Sequence, residues 1–422
     1  MHHRSESTVH STSFARGLTA ATSDRSPLPA LTVLAHPDAR RVGDRALLGE
    51  ALNGVQVLLD RRRPEFHAPD RSSGRPLDDR HLSRRSIVLS RSDEGWSLDV
   101  GGTSTRVRID GRPVDGVHRF ADPELDDGVV VELAERIVLL LHRHTPTTDG
   151  ISGDDLGLVG ESDGITFLRD EIRRVADLDV GVLLRGETGS GKELVARALH
   201  VAGRRSAGPF VAVNLGALAP SLAASELFGV ARGAFTGADR SRDGCFVRAH
   251  GGTLFLDEIG EAPSEIQVAL LRTLETGEIL AVGASTPRRV DVRTLAATDA
   301  DLDHLIASDG FREPLLHRLA GYEIWLPPLR RRRDDLGRLL VHFLRQFSDE
   351  LGDHRLGRDD GEPWIDPELV TRMAHFGWPG NVRQLRNVVR QLAIGNRGRH
   401  CLRSTPAVDR LLTEPTASAA SP

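Results

Sequence analysis

Residues 180–193 read VGVLLRGETGSGKE. An apolar run gives way to a cluster of small residues, and a helical pattern, ELVARALH, follows. The spacing Gly186-x4-Gly191-Lys192 between a strand and a helix is that of a phosphate-binding loop. Small residues let successive backbone N–H groups wrap phosphate oxygens, and the helix N-terminus adds its positive dipole end. Gly186, Glu187, Thr188, Gly189, Ser190, Gly191, Lys192 and Glu193 are therefore the candidate nucleotide-binding residues, with Lys192 reaching the β- and γ-phosphates. The 55 basic residues are 54 arginines and this single lysine. Lysine is a compact point charge where arginine is a wide fork, so its retention here marks a place arginine does not fit. The next residue is Glu193, where the general pattern has a Ser or Thr hydroxyl on Mg²⁺. A metal then depends more on water and on other carboxylates.

TLFLDEIGE (253–261) supplies those carboxylates. A continuous apolar run ending in Asp257-Glu258 predicts a buried parallel strand delivering two carboxylates at its C-terminal end, the edge where such sheets bind ligands. Asp257 is expected to hold Mg²⁺ and Glu258 to polarise the attacking water of ATP hydrolysis. Helical patterns alternate with VGVLLRG, FVAVNL, TLFLDE and VRTLAAT, which predicts an α/β core with a parallel sheet over residues 158–327. Pro327-Pro328 ends it, and amphipathic helices over 328–395 predict a small helical lid. Upstream, short apolar strands at turn-rich intervals predict an N-terminal β-sandwich over 30–145. Residues 1–29 and 396–422 are polar and predict disordered tails, the latter without a helix-turn-helix; 146–157 is a polar linker.

The composition narrows the class. At 422 residues with 39% apolar residues and 42 glycines, the chain has enough apolar content to exclude a wholly disordered protein. No stretch reaches the 18 or so apolar residues of a membrane span, and the N-terminus carries no apolar signal core. Two cysteines make no disulfide framework. A cytoplasmic protein away from membranes is expected.

Residues 158–395 resemble the AAA+ domain of bacterial enhancer-binding proteins, the ATPases that activate RNA polymerase carrying sigma-54. The resemblance rests on GETGSGKE, SELFG, GAFTGA (233–238), GGTLFLDEIGE, FREPLLHRL, LPPLRRRRDDL and GWPGNVRQLRNVV. It implies that Gly233, Ala234, Phe235, Thr236, Gly237 and Ala238 tip a loop that contacts the sigma-54 RNA polymerase holoenzyme. It also implies that Arg312 and Arg318 reach a neighbouring subunit's γ-phosphate in a ring, a hexamer by the same resemblance. Arg383 would sense nucleotide from the lid, and Asn214 would hold the catalytic glutamate in an inactive pose. One departure is Asp299, at a sensor position usually held by Asn. A carboxylate accepts hydrogen bonds where an amide also donates, so this residue weakens sensing or joins the metal.

Residues 31–144 resemble a forkhead-associated (FHA) domain, a β-sandwich that reads phosphothreonine. Leu82-Ser83-Arg84-Arg85, Trp96-Ser97-Leu98 and Ile109-Asp110-Gly111 carry the likeness. Ser83 and Arg84 match the phosphate-binding pair, with Arg61, then Arg75, as the upstream arginine. Ser86 stands where the family has His, and Thr105 where it has Asn. The resemblance implies a phosphothreonine protein as partner. The alternative reading is an FHA adaptor whose AAA+ domain binds nucleotide but hydrolyses it weakly or not at all. After the lid only polar residues and a stretch of two helical turns follow, so little or no sequence-specific DNA binding is expected from the chain by itself.

Overall fold

The computed structural model describes residues 26–68, 73–93, 95–146, 155–234, 240–351 and 361–413. The N-terminal strands are β1 (Leu28–Ala35), β2 (Arg45–Leu47), β3 (Val57–Leu59), β4 (Ile87–Ser92), β5 (Gly95–Asp99), β6 (Val107–Ile109), β7 (Arg112–Pro113), β8 (Val117–Phe120), β9 (Val129–Leu133) and β10 (Ile137–His144). They form two antiparallel sheets, β2-β1-β10-β9-β6-β7 and β3-β4-β5-β8. Leu31, Val33, Trp96, Leu98, Val131 and Leu139 are buried between them. A short helix, α1 (Asp122–Asp127), sits below β5, and the Trp96 indole donates to Asp122 at 2.8 Å. Strands β2, β7 and β8 had no apolar run to announce them; β8 reads VHRF with mostly exposed positions. The expected tail also ends earlier, because Leu28 and Pro29 already pair with His144 and Arg143.

The second region carries the parallel strands β11 (Val182–Arg185), β12 (Phe210–Asn214), β13 (Thr253–Asp257), β14 (Arg293–Thr298) and β15 (Tyr322–Trp325). Their order is β12-β13-β14-β11-β15, all parallel. Leu183, Leu184, Leu254, Phe255, Leu256 and Ala296 are fully buried, as a sheet covered on both faces requires. The helices used below are α2 (Asp163–Val175), α3 (Lys192–Val201), α4 (Ser264–Thr276) and α5 (Glu313–Leu319). Parallel connection delivers the chain leaving β11, β12, β13 and β14 to one edge, so Gly186, Asn214, Asp257 and Asp299 converge.

The lid comprises α6 (Leu336–Leu351), α7 (Pro367–His375), α8 (Asn381–Gly395) and α9 (Pro406–Leu411). Asp366 caps α7 by accepting from Glu368 N, with Pro367 at its first position. Helix α9 corrects the expected tail over 396–422. Asn396 donates to the carbonyls of Leu392 and Arg403 and accepts from Arg403 N, and Val408 is fully buried. The buried Asn396 amide and the apolar plugs Leu402 and Val408 order a segment whose composition is polar. Residues 414–422 lie outside the described set.

The chain divides into two compact units. One joins the sandwich, residues 159–166 and the lid; the other is the parallel-sheet core. Sandwich, core and lid are successive segments in the sequence; in the structure the lid shares an apolar cluster with the sandwich.

Candidate functional site

The phosphate loop starts where β11 ends. A Cβ on Gly186 would lie 2.9 Å from Leu326 Cβ, so that position is packed to the backbone. Gly189 and Gly191 have φ of 76° and 110°, the left-handed region that glycine enters freely. Helix α3 then opens at Lys192, which is buried and donates through Nζ to Gly186 O at 2.8 Å. The ammonium thus closes the loop upon itself. Glu193 is exposed on α3 and its carboxylate is taken by Arg197 at 2.8 Å; the structure places it on the helix surface, away from the role expected of it. Glu187 and Ser190 close the turn through Ser190 N donating to Glu187 O.

The carboxylates follow from register. Asn214 and Asp257 are paired at the ends of β12 and β13, and Asn214 Nδ2 donates to Asp257 Oδ2 at 3.0 Å. Asp257 Oδ1 accepts from Glu258 N at 3.1 Å. Glu258 adopts φ of 54°, a left-handed conformation uncommon for a residue with a side chain. Its carboxyl is hydrogen-bonded to Asp299, which also accepts the Thr188 hydroxyl. Two carboxyl groups sharing a hydrogen bond need one proton between them. Burial pushes Glu258 up to about 7, against the pull of Lys192 and with the help of Asp299 and Asp257. Burial alone would raise Asp299 too, but the hydrogen bonds from Thr188 and Glu258 and the charge of Lys192 outweigh it and hold it below the ordinary carboxylate value.

This corrects the expected clamp on the catalytic glutamate. In this structure Asn214 holds Asp257, because strand pairing places its amide beside that residue. Glu258 is held by Asp299 instead. The sequence marked Asp299 as a departure, but its pairing with Glu258 spans two loops and has no local signal.

Most of the remaining candidate arginines are exposed. Arg312 precedes α5, with its backbone N bonded to Gln267 Oε1 at 2.9 Å and its side chain exposed. Arg318 is exposed and donates to Leu274 O at 2.9 Å. Among the described residues, no hydrogen bond or ion pair joins either to the phosphate loop of its own chain. Arg383 lies exposed in the first turn of α8. Gly233 and Ala234 form the base of the GAFTGA loop, and a Cβ on Gly283 would lie 2.5 Å from Ala234 Cβ. Phe235, Thr236, Gly237 and Ala238 lie outside the described residues. In the sandwich, Arg61 N donates to Ser83 O and Ser83 N to Thr105 Oγ1 at 2.8 Å. Arg61 pairs with Asp78 at 3.2 Å, and Arg84 is exposed.

Residues 158–325 match the family model of the sigma-54 interaction domain, and residues 330–405 that of the AAA+ ATPase lid domain. The DNA-binding transcriptional regulator NtrC of Escherichia coli K12 is 40% identical over 381 residues, covering 86% of this chain and 77% of that protein. NtrC of Azospirillum brasilense is 46% identical over 250 residues, covering 59% of this chain. The chain spans only 50% of the length of that second relative. Among solved structures, NtrX from Brucella abortus in complex with ADP superposes with a TM-score of 0.53 at 38% identity, covering 58% of this chain and 53% of the other.

Proposed function

The chain belongs to the family of sigma-54-dependent AAA+ activators, and we propose that it hydrolyses ATP to remodel the closed promoter complex of sigma-54 RNA polymerase. The observation that carries this reading is the convergence of Lys192, Asp257 and Glu258 on one edge of the parallel sheet, around the glycine loop. Backbone N–H groups from Gly186 to Gly191 bind the phosphates, and Lys192 exchanges its bond to Gly186 O for phosphate oxygens. Glu258 orients and deprotonates the attacking water. The oxygen-only donors at this edge suit a hard cation, and Asp257, held by Asn214, is the residue that would hold Mg²⁺. Bound there, such an ion would supply neutralisation of charge on the phosphate oxygens.

Arg312 and Arg318 are exposed and unattached to their own phosphate loop, which supports their service to a neighbouring protomer in a ring. The GAFTGA loop contacts sigma-54, and Thr236→Ala should hydrolyse ATP yet fail to activate. The deciding experiment is ATP-dependent open-complex formation with sigma-54 polymerase; hydrolysis without open complexes would refute the activator reading.

One observation favours a second reading, an adaptor that binds nucleotide and hydrolyses it weakly. Glu258 shares a proton with Asp299 and so is not a free carboxylate base. Steady-state turnover with and without sigma-54 polymerase separates the two. The sandwich reads phosphothreonine through Ser83, Arg84 and Arg61, supported by the backbone bonds that gather Arg61, Ser83 and Thr105; a phosphopeptide library with no phosphate-dependent hit would refute this. No described helix is long and apolar enough to cross a membrane, and the proposed site of action is the cytoplasm. Sequence-specific DNA binding by the chain alone should be weak or absent, which a footprint at physiological salt checks.

A further inference from the structure

The outer face of the six-stranded sheet is covered by the lid. Leu34, Val138 and Leu140 belong to one buried cluster with Leu340, Val370 and Met373. A bulge in β1 between Val33 and Ala35 breaks the pairing with β10 at Leu34, and the Leu34 carbonyl meets α6. There a Cβ on Gly337 would lie 2.4 Å from Leu34 O, so the helix and strand backbones approach as closely as glycine permits.

Polar groups fasten the same face. Trp364 Nε1 donates to His36 O at 2.9 Å, and Arg338 Nη2 to Gly43 O at 2.5 Å. Arg333 Nη1 donates to the carbonyls of Asp127 and Gly128. Arg45 of β2 pairs with Asp334 at 2.8 Å, both nearly buried, and the same arginine donates to Thr32 Oγ1. Asp335 accepts from Glu161 N, Ser162 N and Ser162 Oγ, tying residues 161–162 into the junction. Donors and acceptors of lid and sandwich thus meet at a largely buried face, where an unpaired partner is costly.

We propose that the N-terminal sandwich is a fixed second layer of the lid, folding as one body with it. The arrangement makes the sandwich a structural part of the lid rather than a detachable module on a linker.

The test uses the full chain with Gly337→Ala and, as a gentler variant, Trp364→Phe, which keeps the ring but removes the N–H donor to His36 O. In a helix facing solvent, alanine is the better residue, so a free α6 would gain stability from Gly337→Ala. At the junction its methyl group is driven into Leu34 O. Hydrogen exchange should show both variants losing protection together in β1, β10, α7 and α8, by about tenfold or more, with β11 and β13 unchanged. Unchanged or increased protection in Gly337→Ala, or loss confined to the lid with β1 and β10 intact, overturns the single body.

Discussion

Strands β13 and β10 read alike and mean different things. Both contain an unbroken apolar run, LFL in TLFLD and IVLLL in IVLLLHRH, buried on both faces. In β13 the cause is general: a parallel sheet has helices on either side. Strand β10 is antiparallel, and such strands alternate when one face meets water. Here Ile137, Leu139 and Leu141 enter the sandwich core while Val138 and Leu140 enter the lid cluster. An unbroken run in an antiparallel strand therefore reports a second layer, and the chain supplies that layer from about 200 residues away. The first strand delivers a chemical site; the second binds two distant parts of the sequence into one body.

The largest effects belong to β13 and its neighbouring loop. Lys192→Ala should abolish nucleotide binding in a titration with ATP, since it removes the one ammonium of the glycine loop. Glu258→Gln should bind ATP normally and hydrolyse it slower by about 10²–10⁴-fold, the range for a lost general base. Hydrolysis at the wild-type rate in Glu258→Gln would strip β13 of its chemical role and leave the two strands equivalent.

For β10 the informative pair is Leu139→Ala and Leu140→Ala, adjacent residues on opposite faces. Both side chains are almost completely buried. Each truncation should cost about 2–5 kcal/mol by denaturant unfolding, because each leaves a cavity. Were the outer face open to water, Leu140→Ala would shift stability by no more than about 0.5 kcal/mol.

This contrast explains what was legible in the sequence. The phosphate loop, the buried strand ending in Asp257-Glu258 and the sandwich strands are local patterns, written in spacing and periodicity. Asn214 beside Asp257 follows from parallel register, which one strand alone does not display. Asp299 beside Glu258 joins two loops 41 positions apart. The sandwich–lid junction was half visible: VVVEL and IVLLL carry more apolar residues than one wet face allows, but nothing local names their cover. Gly337 and the β1 bulge become meaningful only once the two backbones are seen to meet. Helix α9 was legible as a stretch of two helical turns, but the Asn396 amide that orders the chain before it bonds across seven positions and has no local signal.

A smaller effect tests the carboxyl pair at the end of β13. Asp299→Asn replaces an acceptor with a group that also donates, and frees Glu258 from a shared proton. A hydrogen bond to a charged group contributes about 1.5–3 kcal/mol, so its release should raise kcat by about tenfold to a hundredfold. KM for ATP should move less, because the phosphate loop is untouched. A fall in kcat to the level of Glu258→Gln would instead make Asp299 part of the hydrolytic machinery, and the adaptor reading would lose its support.

The smallest effect is the pH dependence that the same pair gives the core. Glu258 holds its proton to about 7 in the fold, against about 4.3 in an unfolded chain. Between these values the folded state binds more protons than the unfolded one. Stability therefore falls as pH rises through that window, is fully present below it, and is flat above. Water reaches Glu258, which lies at the half-buried sheet edge, so screening reduces the effect well below what a fully buried carboxyl would show. The measurement is the difference in unfolding midpoint between wild type and Glu258→Gln from pH 4 to 8. Wild type should lose ground to the variant as pH rises, with most of the change complete near pH 7. The change should appear in exchange of β13 and be absent from β10, because no comparable carboxyl pair ends that strand. A difference independent of pH would mean that Glu258 is ionised in the free protein, and Asp299 would then repel it rather than hold it.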